Sequence, residues 1–96
     1  MTVEQVRKDL REIRYYYSRK KELDYALDTV ENSAIQSLLE KYNKVMKLAG
    51  IRLYSVYINL YVHNMTQSAM AASENVCPGY IKLLNRNLIK FLAENL

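Results

Sequence analysis

Lys82 and Arg86 stand one helical turn apart, with Asn85 beside them, in a stretch whose other spacings mark an inner apolar face. Arginine offers a fork of donors that matches the guanine edge, and asparagine pairs a donor and an acceptor with adenine. Lysine suits phosphate or guanine, and each good paired contact to a base edge gives roughly 1–3 kcal/mol of discrimination. The chemistry within reach of these residues is recognition of duplex DNA rather than bond breaking. Pro78 and Gly79, just before them, bring no side-chain donors but allow close approach of the backbone. Thr66 and Gln67 stand where a helix would begin, and the free amides and dipole of such an end suit a phosphate. Candidate DNA contacts are therefore Thr66, Gln67, Gly79, Lys82, Asn85 and Arg86.

Other chemistries find no residues. With two glycines there is no phosphate-cradling loop, and no paired carboxylates fall on an apolar wall, so no enzyme is expected. One Cys and one His cannot supply a Cys/His zinc set, and a single thiol makes no internal disulfide. Cofactors and metals are not expected, and the lone Cys fits a reducing compartment. The longest uncharged stretch, Leu53 to Ser73, carries Ser, Asn, His, Thr and Gln throughout, and the amino terminus has no apolar signal region. A cytoplasmic protein without membrane contact is the expectation. His63 reads as a solvated or capping group, Cys77 as a half-exposed thiol, and Arg19-Lys20-Lys21 beside Glu22 and Asp24 as a solvated face.

The 96 residues carry 50% hydrophobic and 25% charged side chains, enough for one domain built on one core. The net charge of +4 is modest. It is also uneven: residues 1–31 are neutral, whereas Lys41, Lys44, Lys47 and Arg52 are opposed only by Glu40 between residues 32 and 64. The carboxy-terminal part adds Lys82, Arg86 and Lys90 against Glu74 and Glu94. Such a distribution permits a polyanion partner on the carboxy-terminal two-thirds.

Few breakers and apolar spacings of three and four make the chain all-α, with about five helices. Thr2 with Gln5 has capping-box spacing, and Val3, Val6, Leu10, Ile13 and Tyr17 then follow one face. The stripe shifts after the tyrosine triple and continues through Tyr16, Leu23, Leu27 and Val30, so the helix either curves around its partner or breaks near Ser18, and one long helix to about residue 30 is the expectation. Ser33 with Gln36 predicts the start of a second helix, running to about Leu48 and ended by a left-handed Gly50. These two form an amino-terminal hairpin over residues 1–50. Leu53, Val56, Tyr57, Leu60 and Tyr61 predict a third helix to about Asn64. Most of the nine tyrosines fall on buried stripes. Tyr15, Tyr16 and Tyr17 span about 200° of a helix, too wide for one small core, so one is exposed or the trio marks self-association. With the near-heptad stripe, this favours a homodimer.

Residues 51–96 hold the most specific pattern. Thr66 caps a short helix that cannot pass Glu74, Asn75 tolerates a left-handed backbone, and Pro78 is favoured in the first turn of a new helix. A short helix, a tight turn and a longer helix match the spacing of a helix-turn-helix. Ala71 is small where the two helices must approach, Val76 plugs the turn, and Ile81 and Leu84 anchor the second helix from inside.

The run TQSAMAASENVCPGYIKLLNRNLIKFL resembles the carboxy-terminal region four of bacterial sigma factors and phage regulators of the ArpU type. Thr66 and Gln67 match the start of the first motif helix, and Met70 and Ala71 match its apolar-Ala pair. Val76 matches the apolar residue after the turn, and Ile81, Leu88 and Leu92 match the anchors of the second helix. The likeness covers roughly residues 52–92. Three positions depart from the pattern: Asn75 replaces the turn Gly, Glu74 a Leu, and Cys77 a capping Ser or Thr. The resemblance implies a transcriptional regulator or sigma-like factor of phage or mobile-element type, which places the helix starting near Pro78 in the major groove and reads two half-sites as a dimer. RNA polymerase would be a further partner. The reading from another class is a helical module that binds polymerase or a host factor without touching DNA.

Overall fold

The structure, a computed structural model, describes residues 1–19 and 30–96. Among the described residues it is all-helical, with five helices and no strands. They are α1 (Val3–Ser18), α2 (Val30–Met46), α3 (Ile51–Tyr57, continuing as a π-turn through Ile58–Val62), α4 (Gln67–Glu74) and α5 (Pro78–Asn95).

The amide of Gln5 donates to Thr2 Oγ1 at 3.2 Å, satisfying one of the free donors at the start of α1. The helix closes at Ser18, not near residue 30. There the Ser18 hydroxyl donates to the Tyr15 carbonyl at 2.7 Å, and the Arg19 amide is shared among the carbonyls of Tyr15, Tyr16 and Tyr17. Three tyrosines of indifferent helix propensity followed by a serine that takes a terminal carbonyl favour a stop at this place. The stripe positions Leu23 and Leu27 lie outside the described residues.

The second helix is already formed at Val30, so Ser33 lies within α2 and does not begin it. Its far end also differs from expectation. Gly50 has φ −64° and ψ 160°, an extended residue that precedes α3. No left-handed glycine is needed there, because the amides of Leu48 and Ala49 bond back to Val45 and Met46 at 2.9 and 3.1 Å, tightening the last turn. The Gly50 carbonyl instead accepts the Tyr54 amide at 3.0 Å and opens α3.

Helices α1 and α2 run antiparallel: Tyr42 lies against Asp9, and Gln36 against Tyr16, where Gln36 Nε2 donates to Tyr16 Oη at 3.2 Å. Tyr42 is fully buried and its hydroxyl donates to Asp9 Oδ2 at 2.7 Å, while Gln5 Nε2 donates to Asp9 Oδ1 at 3.1 Å. A buried carboxylate needs such partners. Burial and this contact with Asp9 push the Tyr42 phenol well above its ordinary value.

The hairpin does not stand apart. Val6, Leu10 and Ile13 of α1 join Tyr42 and Met46 of α2, Val56 and Tyr57 of α3, Met70 of α4, and Ile81, Leu88 and Leu92 of α5 in one buried cluster. At the end of α3 the Met65 amide reaches the Asn59 carbonyl at 2.9 Å, with Asn64 left-handed at φ 59°. Arg14 Nε donates to Asn64 Oδ1 at 3.3 Å and ties α1 to this turn. No helix among the described residues is long and apolar enough to cross a membrane.

Candidate nucleic-acid interface

The unit that positions the candidate residues is α4, its turn and α5. The Ala69 amide donates to Thr66 Oγ1 at 3.0 Å, which fixes the start of α4. Met70 and Ala71 are buried on its inner face. Asn75 then takes the left-handed conformation, φ 56° and ψ 41°, and the Val76 amide returns to the Ala71 carbonyl at 3.0 Å. This bond is the 6→1 closure of a helix end, normally built around glycine, with an apolar residue following that packs back onto the helix. Val76 is that residue and lies against the core. Cys77 occupies the cap of α5 without a side-chain bond, and Pro78 supplies the first turn, where a missing amide costs nothing.

Ile81, Leu84, Leu88, Ile89 and Leu92 bury the inner face of α5. At about 100° per residue, Gly79, Lys82, Leu83, Arg86, Asn87 and Lys90 fall within about 140° of arc on the opposite side, and all six are exposed. Three cations stand on that face, and no carboxylate occurs between Pro78 and Ala93. Leu83, 48% exposed, sits in their midst. A β-carbon at Gly79 would meet nothing nearer than the Cys77 sulfur at 3.8 Å, so the approach to the first turn is open.

The structure therefore brings Gly79, Lys82 and Arg86 together on one outward face. Thr66 and Gln67 lie on the preceding helix, and Thr66 Oγ1 is already occupied as a cap. Asn85 is half-buried and turned inward, where its Oδ1 accepts the Tyr61 hydroxyl. Held inward on Tyr61, it does not present to the outer face the paired donor and acceptor that adenine requires. Three residues of this face escaped the sequence reading: Leu83, Asn87 and Lys90. The i, i+4, i+8 spacing of Lys82, Arg86 and Lys90 was a signal that could have found the last of them.

Of the basic residues upstream, Lys41, Lys44 and Lys47 are exposed, but Arg52 is engaged. Its Nη1 donates to Glu74 Oε1 at 3.0 Å, its Nε and Nη2 reach the Tyr80 hydroxyl at 3.4 and 3.3 Å, and its guanidinium lies 5.3 Å from the Tyr80 ring centre. This contact links α3, α4 and α5 at the place where the resembled motif has an apolar anchor. No group of Cys, His and carboxylate side chains suited to a metal occurs among the described residues.

No family model, curated protein or solved structure matches this chain.

Proposed function

We propose that the chain is a small helix-turn-helix DNA-binding protein that lays the outer face of α5 in a major groove. The observation that carries this reading is the left-handed turn at Asn75, which leaves Lys82, Arg86 and Lys90 pointing outward while Ile81 and Leu84 hold α5 to the core. Arg86 would read guanine, the exposed Asn87 would suit adenine, Leu83 suits a thymine methyl, and Lys82 and Lys90 suit phosphate or guanine. Thr66 and Gln67 would add phosphate contacts from the amide-rich start of α4. By its resemblance the protein would be a transcriptional regulator or sigma-like factor of phage or mobile-element type, acting in the cytoplasm as a homodimer on two half-sites, with RNA polymerase as a further partner.

Fluorescence polarisation with a mixed-sequence duplex at rising salt tests this. Affinity falls steeply with salt when several phosphates are neutralised, and a Lys82→Ala/Arg86→Ala variant shows weaker binding and a shallower slope. Binding that is absent, or indifferent to both salt and these substitutions, contradicts the proposal.

A second reading, a helical protein-interaction module, is favoured by one observation. Leu48, Ile51 and Tyr54 are large apolar side chains left exposed where α2 passes into α3, with Ile51 89% open to solvent. Exposed apolar groups that recur locally mark contact surfaces.

A further inference from the structure

A cleft of about 200 Å³ lies between α1, α3 and α5, lined by Arg7, Leu10, Arg11, Tyr61, Asn85 and Ile89. We infer that it is a binding site for a phosphate group, held by Arg7, Arg11 and the Asn85 amide. The inference does not depend on the DNA reading.

Arg7 and Arg11 are four residues apart on α1, so both guanidinium groups serve one face of the helix. Both are exposed, and neither has an ion pair or hydrogen bond among the described residues. Two like charges one turn apart repel each other, and an anion between them removes that penalty. On the opposite wall the Tyr61 hydroxyl donates to Asn85 Oδ1, which leaves the Asn85 Nδ2 hydrogens for a ligand. The lining thus offers guanidinium and amide donors and no carboxylate. Leu10 and Ile89, both buried, form its apolar floor, which strengthens charge-assisted bonds made above it. Guanidinium forks match the planar pairs of oxygens on a phosphate. Burial raises the Tyr61 phenol, so its hydroxyl stays protonated and keeps holding Asn85 in this orientation.

The phosphate could belong to a nucleic-acid backbone or to a free phosphate compound, and two measurements distinguish them. In the first, wild-type protein is titrated with inorganic phosphate against chloride at equal ionic strength, following the side-chain resonances of Arg7, Arg11 and Asn85 by NMR. Saturable shifts specific to phosphate are expected, weakened at least tenfold by Arg7→Gln/Arg11→Gln. They should vanish in Asn85→Asp, which keeps an acceptor for Tyr61 but adds a repelling charge. Helical circular dichroism confirms that each variant is folded. Equal shifts in chloride, or phosphate shifts that persist unchanged in the double variant, overturn the inference.

In the second, the duplex affinity of the Arg7→Gln/Arg11→Gln variant is measured against salt. A slope of log affinity against log salt that is shallower by about one supports a backbone phosphate in the cleft. An unchanged slope, where the wild type binds inorganic phosphate and the double variant does not, supports a free phosphate compound. If the wild type binds no duplex, the DNA reading falls and the phosphate titration alone decides for or against the cleft.

Discussion

Arg52 Nη1 lies 3.0 Å from Glu74 Oε1, so an ion pair joins α3 to the end of α4 where a helix-turn-helix of the resembled type uses leucine. The other carboxylate oxygen, Glu74 Oε2, is buried without a hydrogen-bond partner among the described residues, a cost the pair must offset. The arginine side chain is 47% exposed and lies beside the Tyr80 ring, so it tolerates loss of its carboxylate.

Glu74→Leu is accordingly expected to leave stability unchanged or raise it by up to about 1 kcal/mol, because an apolar side chain restores the helix contact and removes the unpartnered oxygen. Urea denaturation of the variant checks this. A loss of more than about 2 kcal/mol would show that the ion pair is needed to hold the turn.

Asn75 bears the left-handed backbone on which the placement of α5 depends. Asn75→Gly removes the β-carbon conflict and should preserve the fold with similar or slightly higher stability. Asn75→Val should cost about 1–2 kcal/mol, since a branched side chain in this conformation is strained and cannot bond locally. Thermal melts of the two variants separate the outcomes. Equal melting temperatures would mean the turn can relax to another conformation.

The buried bond from Tyr42 to Asp9 gives a third test. Tyr42→Phe removes a donor from a buried carboxylate and should destabilise by about 1.5–3 kcal/mol, with Asp9→Asn costing less because its amide oxygen still accepts from Tyr42. Chemical denaturation of both checks the order. A milder loss in Tyr42→Phe than in Asp9→Asn would contradict it.

Alkali should act through the same interior. Burial raises the phenols of Tyr42, Tyr57 and Tyr61 above the ordinary value of 10.0. Below that pH they are protonated in both folded and unfolded chains and add no pH dependence. Above it the unfolded chain releases their protons while the folded one retains them, so stability falls as pH rises beyond 10. Melting temperatures across the alkaline range should drop there. Complete tyrosinate absorbance with an unchanged helical signal just above pH 10 would refute this.

What could be read along the chain was local. Thr2 and Thr66 cap their helices because a hydroxyl three residues before an amide can reach it, and Asn75 takes the left-handed turn for steric reasons confined to one residue. The inner face of α5 followed from spacing, although Ile89 joined Ile81, Leu84, Leu88 and Leu92 unforeseen. The misplacements involved competition between neighbouring bonds or distant partners. Tight bonds from Leu48 and Ala49 ended α2 before Gly50, and the Ser18 hydroxyl helped end α1. Asn85 and Arg52 looked free because Tyr61 and Glu74 lie more than twenty positions away along the chain and meet them only in the folded state.

Amide chemical-shift mapping during titration with a mixed-sequence duplex shows whether the outer face of α5 meets DNA. The largest shifts are expected at Gly79, Lys82, Leu83, Arg86, Asn87 and Lys90, with Ile81, Leu88 and Leu92 little changed. Shifts centred on Leu48, Ile51 and Tyr54 with α5 silent, or no shifts at low salt, would contradict it.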